Sequence, residues 1–146
     1  MMKALLTALL LGGAATATPA APTSSAAVIL TVRGGPALTF SREVTSTVTL
    51  RTPFGQGSGL LLGGAPYPAD PAHYWAGLKP LRLPLPVPAG TPPGRYPVTA
   101  STTLYVCDQK IHLCSVRPAQ AQGELTVGPQ ANPLTLTLEV PGLRRF

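Results

Sequence analysis

Proline recurs through almost every segment of this chain after residue 18, and that distribution rules out a protein built on long helices. Proline and glycine supply 18 and 15 of the 146 residues, a density approaching low complexity. Yet 45% of the residues are apolar, enough surface to offset chain entropy by burial, so a packed fold is expected. The length suits one domain. The formal charge is +6, but it arises from a shortage of acids, with arginines dispersed singly and no basic run beyond Arg144-Arg145. Such a pattern lacks the clustered basic face of a nucleic-acid binder, and no nucleic acid is expected as a partner.

The first residues read as an export signal. Met1-Met2-Lys3 is a short positive start, Ala4–Leu11 is an apolar or small-residue run, and Ala15-Thr16-Ala17 offers a small-x-small cleavage site. The run is too short to cross a bilayer, and no later stretch is long and apolar enough for a membrane helix. Residues 1–17 are therefore expected to be a signal peptide, 18–27 (TPAAPTSSAA) a flexible leader, and 28–141 the folded domain. The expected location is periplasmic or secreted, where a disulfide persists.

From Val28 onward the pattern turns strand-like. Val28–Val32 is rich in β-branched residues, and Val44, Ser46, Val48 and Leu50 alternate with Thr45, Thr47, Thr49 and Arg51. Gly55–Gly59 reads as a hairpin loop and Leu60-Leu61-Leu62 as a short buried strand. Residues 65–77 (APYPADPAHYWAG) contain three prolines and the rings of Tyr67, Tyr74 and Trp75, which predicts an ordered aromatic loop. Leu81, Leu83, Leu85 and Val87 alternate with Arg82, Pro84, Pro86 and Pro88, the pattern of an edge strand. Arg95–Val106, Ile111–Val116, Glu124–Val127 and Leu134–Val140 supply four more. About eight short strands separated by Gly/Pro turns predict an all-β chain folded as a β-sandwich.

Two cysteines, Cys107 and Cys114, stand in LYVCDQKIHLCSVR. If the flanking residues form adjacent antiparallel strands, the two face each other directly and can bond without backbone movement. Lys110-Ile111 lacks the positive-φ residues of a tight turn, so a four-residue loop, Gln109–His112, is favoured between the strands. Three uses remain open. The bond is a structural staple worth roughly 2.5 kcal/mol for a loop of about eight residues. Alternatively it exchanges with another protein's thiols, with Lys110 and His112 favouring a thiolate and Asp108 opposing it. Thirdly, Cys107, His112 and Cys114 are soft ligands for Cu(I), although a single His and no nearby Met make a poor set, and no metal or other cofactor is expected.

The stretch 65–127 resembles the N-terminal periplasmic domain of the DsbD family of thiol:disulfide interchange proteins. The likeness lies in Tyr74-Trp75-x-Gly77, the Leu83-Pro-Leu-Pro-Val87 strand, the Gly-containing turn, Leu104-Tyr105-x-Cys107, and the second cysteine beyond a short loop. It implies an immunoglobulin-like β-sandwich whose cysteine pair takes electrons from a membrane reductase and hands them to envelope oxidoreductases. On that basis Cys107 and Cys114 would be the exchanging pair. Tyr74 and Trp75 would belong to a loop that caps it, with Asp70 and Tyr105 as further shielding or tuning residues. The cysteine gap is one residue longer than the family's spacing, and Ser115-Val116-Arg117-Pro118 replaces its aromatic and Pro-Pro residues. The membrane and thioredoxin-like sections have no counterpart here, so an envelope oxidoreductase or membrane reductase is the expected partner. The competing expectation is a binding or structural module with an inert disulfide.

Other chemistry finds little support. His73 and His112 are the only histidines, no G-x-S-x-G element accompanies them, and the carboxylates are too scattered to pair. Gly55-Gln-Gly57-Ser-Gly59 resembles a phosphate loop only superficially.

Overall fold

The computed structural model describes residues 24–129 and 132–144. The expected signal peptide, 1–17, and the first part of the expected leader lie outside that range. Nine strands make up the described chain: β1 (Ser24–Arg33), β2 (Leu38–Ser41), β3 (Ser46–Thr52), β4 (Gly55–Leu61), β5 (Tyr74–Trp75), β6 (Leu81–Val87), β7 (Gly94–Asp108), β8 (Leu113–Val127) and β9 (Leu134–Glu139). They form two facing sheets, one of three strands in the order β6-β1-β9 and one of six. The chain is a β-sandwich.

Alternation within each strand builds the core. Val28 and Leu30 of β1, Val48 and Leu50 of β3, Leu83, Leu85 and Val87 of β6, and Val98, Ala100, Leu104 and Val106 of β7 are buried, while their neighbours face outward. Leu136 and Leu138 of β9 complete the layer between the sheets. Within the small sheet β1 runs antiparallel to β6 and parallel to β9. β6 lies at an edge, as its prolines require, because Pro84 and Pro86 are both exposed and have no N–H to give a further strand.

The large sheet is organised around β7. One side of β7 pairs with β8 along the full length of both 15-residue strands. The other side is shared: β3 pairs with it at 99–101 and β2 at 106–108. Gln109 donates its N–H to Ala37 O at 2.9 Å, which sets the hydrogen-bond phase. Odd-numbered residues at this end of β7 therefore turn their backbone groups toward β2, and even-numbered ones toward β8. On β8 the odd-numbered residues bond to β7, and Cys114, Val116 and Pro118 point their backbone groups away.

Several expectations are corrected. Strand β1 begins at Ser24, inside the stretch expected as leader, because Ser24–Leu30 pairs with Val87–Leu81 of β6. The expected loop at Gly55–Gly59 is strand β4. A Cβ on Gly57 would stand 3.2 Å from Leu85 Cδ2, and one on Gly59 would stand 2.7 Å from Leu83 Cδ2, so glycine there admits the leucines of β6. The turn is Pro53-Phe54, between the paired Thr52 and Gly55. Leu61 is buried, but Leu60 and Leu62 are exposed, since the alternation continues through the leucine run. Val44 is also exposed and precedes β3. Strands β2 and β5 are additions. The expected strand 111–116 begins only at Leu113, since Ile111 and His112 lie in the loop, and from there it runs on through 124–127 as one strand, β8, whose Pro118 directs its missing N–H away from β7.

Candidate functional site

The cysteines are bonded: Cys107 Sγ and Cys114 Sγ lie 2.01 Å apart, with Cα atoms at 3.9 Å. They are directly opposed in the β7–β8 register, at a pair that exchanges no backbone hydrogen bonds and so brings the Cα atoms close. The loop closing the hairpin is the favoured four-residue one, Gln109–His112. Two features hold it. Asp108 Oδ1 accepts the backbone N–H of Lys110 at 2.9 Å and of Ile111 at 3.2 Å. His112 takes a left-handed φ of 53°, the positive-φ residue that lets the loop close.

The bond lies on the outer face of the large sheet. Core-facing residues of β7 are Leu104 and Val106; Tyr105 and Cys107 face the other way. Cys107 is nevertheless only 8% exposed, whereas Cys114 is exposed. On its β2 side Cys107 is paired with Thr39, which is fully buried. Thr39 Oγ1 donates to Cys107 O at 3.1 Å and accepts from Gln109 Nε2 at 2.8 Å, so the β7 end is locked in a small polar network. No comparable network holds Cys114 among the described residues.

A shallow groove of about 350 Å³ runs over the bond, lined by Ser41, Tyr74, Tyr105, Val106, Cys107, Cys114, Ser115 and Val116. Tyr74 and Tyr105, two of the sequence-nominated shielding residues, are therefore at the disulfide. Trp75 is not in this lining. Its ring seats on Gly63, where a Cβ would clash with it, and Arg42 Cζ stacks over it at 4.0 Å. Asp70 is also outside the groove; its carboxylate meets His73 Nδ1 at 2.8 Å and its carbonyl accepts the N–H groups of His73 and Tyr74. Both residues act on the aromatic loop and hence on Tyr74.

That loop is ordered. Strand β5 pairs Trp75 with Phe40 and Tyr74 with Ser41. Arg42 accounts for much of the anchoring: its N–H donates to His73 O at 2.9 Å and its Nη1 donates to Pro71 O at 2.6 Å. Arg42, Ser41 and Thr39 were not singled out by sequence reasoning. The β-branched and aromatic run Leu38-Thr39-Phe40 was the available signal, but four residues are too few for a periodicity to register.

The Cu(I) arrangement needs free thiolates, and both sulfurs are consumed in the bond. Among the described residues no three His, Cys, Asp or Glu converge as a ligand set. No helix among them is long and apolar enough to cross a membrane. No protein-family model matches the chain, and no curated protein matches it.

Proposed function

We propose that this protein is a thiol–disulfide exchange module of the cell envelope, passing electrons between redox partners through Cys107 and Cys114, as its likeness to the DsbD N-terminal domain implies. The observation that supports it is the asymmetry of the bond: Cys114 is exposed in an apolar groove, and Cys107 is buried and held by Thr39. Exchange requires an accessible sulfur, and a bond serving only as a staple has no need of one.

In the reductive step a partner thiolate attacks Cys114 Sγ. The Sγ–Sγ bond breaks, its electron pair leaves on Cys107 Sγ, and that sulfur takes a proton. A second thiolate of the partner then attacks its own sulfur in the mixed disulfide and releases Cys114, which is protonated in turn. The partner's dithiol has become a disulfide, and two electrons and two protons reside on Cys107 and Cys114. The same steps reversed, with Cys114 thiolate attacking an oxidised partner, pass them on. Tyr74 and Tyr105 line the approach and limit which thiols reach it.

The test is the reduction potential of the pair, equilibrated against glutathione, combined with trapping by Cys107→Ser. A potential above about −300 mV, with a mixed disulfide captured on Cys114, is expected. A potential below that value and no captured partner would establish an inert staple instead.

A further inference from the structure

We infer that the free edge of β8 beside Cys114 is a docking edge, and that it takes an extended segment of a partner protein carrying the attacking cysteine. This rests on the exchange reading above and adds to it how the partner is held.

The backbone phase supplies the first reason. Gln109 donates to Ala37, so Cys107 directs its N–H and C=O toward β2, and its opposed partner Cys114 directs its own away from β7. The 3.9 Å Cα separation independently marks a pair without exchanged hydrogen bonds. Cys114 and Val116 thus present outward backbone groups, and among the described residues no strand pairs with that edge. Ser115 Oγ makes a long contact to the Val116 carbonyl at 3.4 Å, and among the described residues no acceptor meets the Cys114 or Val116 N–H.

Such an edge binds by strand addition, the mode in which main-chain hydrogen bonds supply affinity. A residue placed opposite Cys114 on the added strand exchanges both hydrogen bonds with it and projects its side chain to the same outer face. A cysteine in that position puts three sulfurs in a row across β7, β8 and the added strand. That row is the in-line arrangement for attack on Cys114 Sγ with Cys107 Sγ leaving. The residue two positions before the incoming cysteine falls opposite Val116. There Val116 and Tyr105, paired across β7 and β8, are 48% and 43% exposed and offer an apolar seat. Pro118, the next outward position, has no N–H, so the docking edge ends after Val116. Two bonded positions suit a partner that must leave after one exchange.

The test measures mixed-disulfide formation on the oxidised protein by mass. The probe is a blocked peptide, Thr-Val-Thr-Cys-Thr-Val-Thr, compared with the same peptide N-methylated at its cysteine amide and with dithiothreitol. We expect N-methylation to slow the peptide roughly three- to tenfold, the effect of one lost hydrogen bond. Val116→Pro removes an outward donor and leaves the β7 ladder intact, as Pro118 already does, so it slows the unmethylated peptide to a similar extent. Dithiothreitol, which needs no docking, is expected to reduce the wild-type disulfide and serves as the docking-free reference for the two peptides. If both peptides react alike with the wild-type protein while dithiothreitol reduces it, edge docking is overturned and exchange stands. If dithiothreitol leaves the folded protein oxidised, the exchange reading itself falls. Should Val116→Pro fail to fold, the methylated and unmethylated peptides on the wild-type protein decide the matter.

Discussion

Single side chains decide how the aromatic loop meets the sheet. Trp75, the only tryptophan in the sequence, packs against Gly63, with Arg42 Cζ 4.0 Å from its ring centroid. Any Cβ at 63 would occupy the space of the indole, and overpacking of this kind costs about 1–3 kcal/mol. Gly63→Ala is therefore expected to displace Trp75, with a red-shifted fluorescence maximum and a stability loss of about that size in denaturant titration. Because Trp75 pairs with Phe40 and its neighbour Tyr74 pairs with Ser41, the displacement propagates to the rim of the disulfide groove. An unchanged emission spectrum would show that the ring has another seat.

At the level of strands, the sandwich closes where glycine meets leucine. Gly57 and Gly59 of β4 face Leu85 and Leu83 of β6, and a Cβ on Gly123 of β8 would stand 2.7 Å from Leu136 Cδ2 of β9. Two of the terminal strands of the large sheet, β4 and β8, thus come close to the small sheet where a glycine meets a leucine side chain. The parallel pair β1–β9 is fastened at its far end by Arg33, which donates to Glu139 at 2.7 Å across an exposed register position. That hydrogen bond, together with the guanidinium charge, holds the Glu139 carboxyl below its usual range. A depressed folded-state pKa means the unfolded chain takes up the proton first as the solution is acidified. The stabilisation is complete above the unfolded value of about 4.3 and disappears as pH falls through the lower folded value. Glu139→Gln should accordingly lower the melting temperature slightly at pH 7 and match the wild type in strong acid. Both side chains are well exposed, so the difference stays small and shrinks with salt.

For the molecule as a whole, the disulfide lies outside the hydrophobic cluster that joins the two sheets. The β7–β8 ladder is paired end to end, and buried residues from both sheets fill the core independently of the cysteines. Cys107→Ala combined with Cys114→Ala is expected to retain the β-sheet circular dichroism of the parent. It should lose about 2.5 kcal/mol, the chain-entropy value for a loop of this length. This tolerance is what an exchanging pair needs, because the dithiol form must stay folded to pass its electrons on. Unfolding of the double variant at room temperature would tie the bond to structure instead.

What could be read from residue order was local. Scattered proline removed long helices, alternation located β3 and β6, apolar segments between Gly/Pro turns marked β7 and β9, and the short gap between cysteines placed them opposite each other across a four-residue loop. These follow from steric and periodic rules acting between near neighbours. The rest depends on residues distant in the chain. Strand β4 is a strand because leucines of β6 need its glycines. Segments β2 and β5 are too short to show a period, and they exist because β7 offers an edge and Arg42 fastens the loop. Nothing in LYVCDQKIHLCSVR distinguishes the two sulfurs. Cys107 is buried on a strand paired on both sides, by β2 and by β8, whereas Cys114 is exposed on β8, which pairs on one side only among the described residues, and that asymmetry arises only in the assembled sheet.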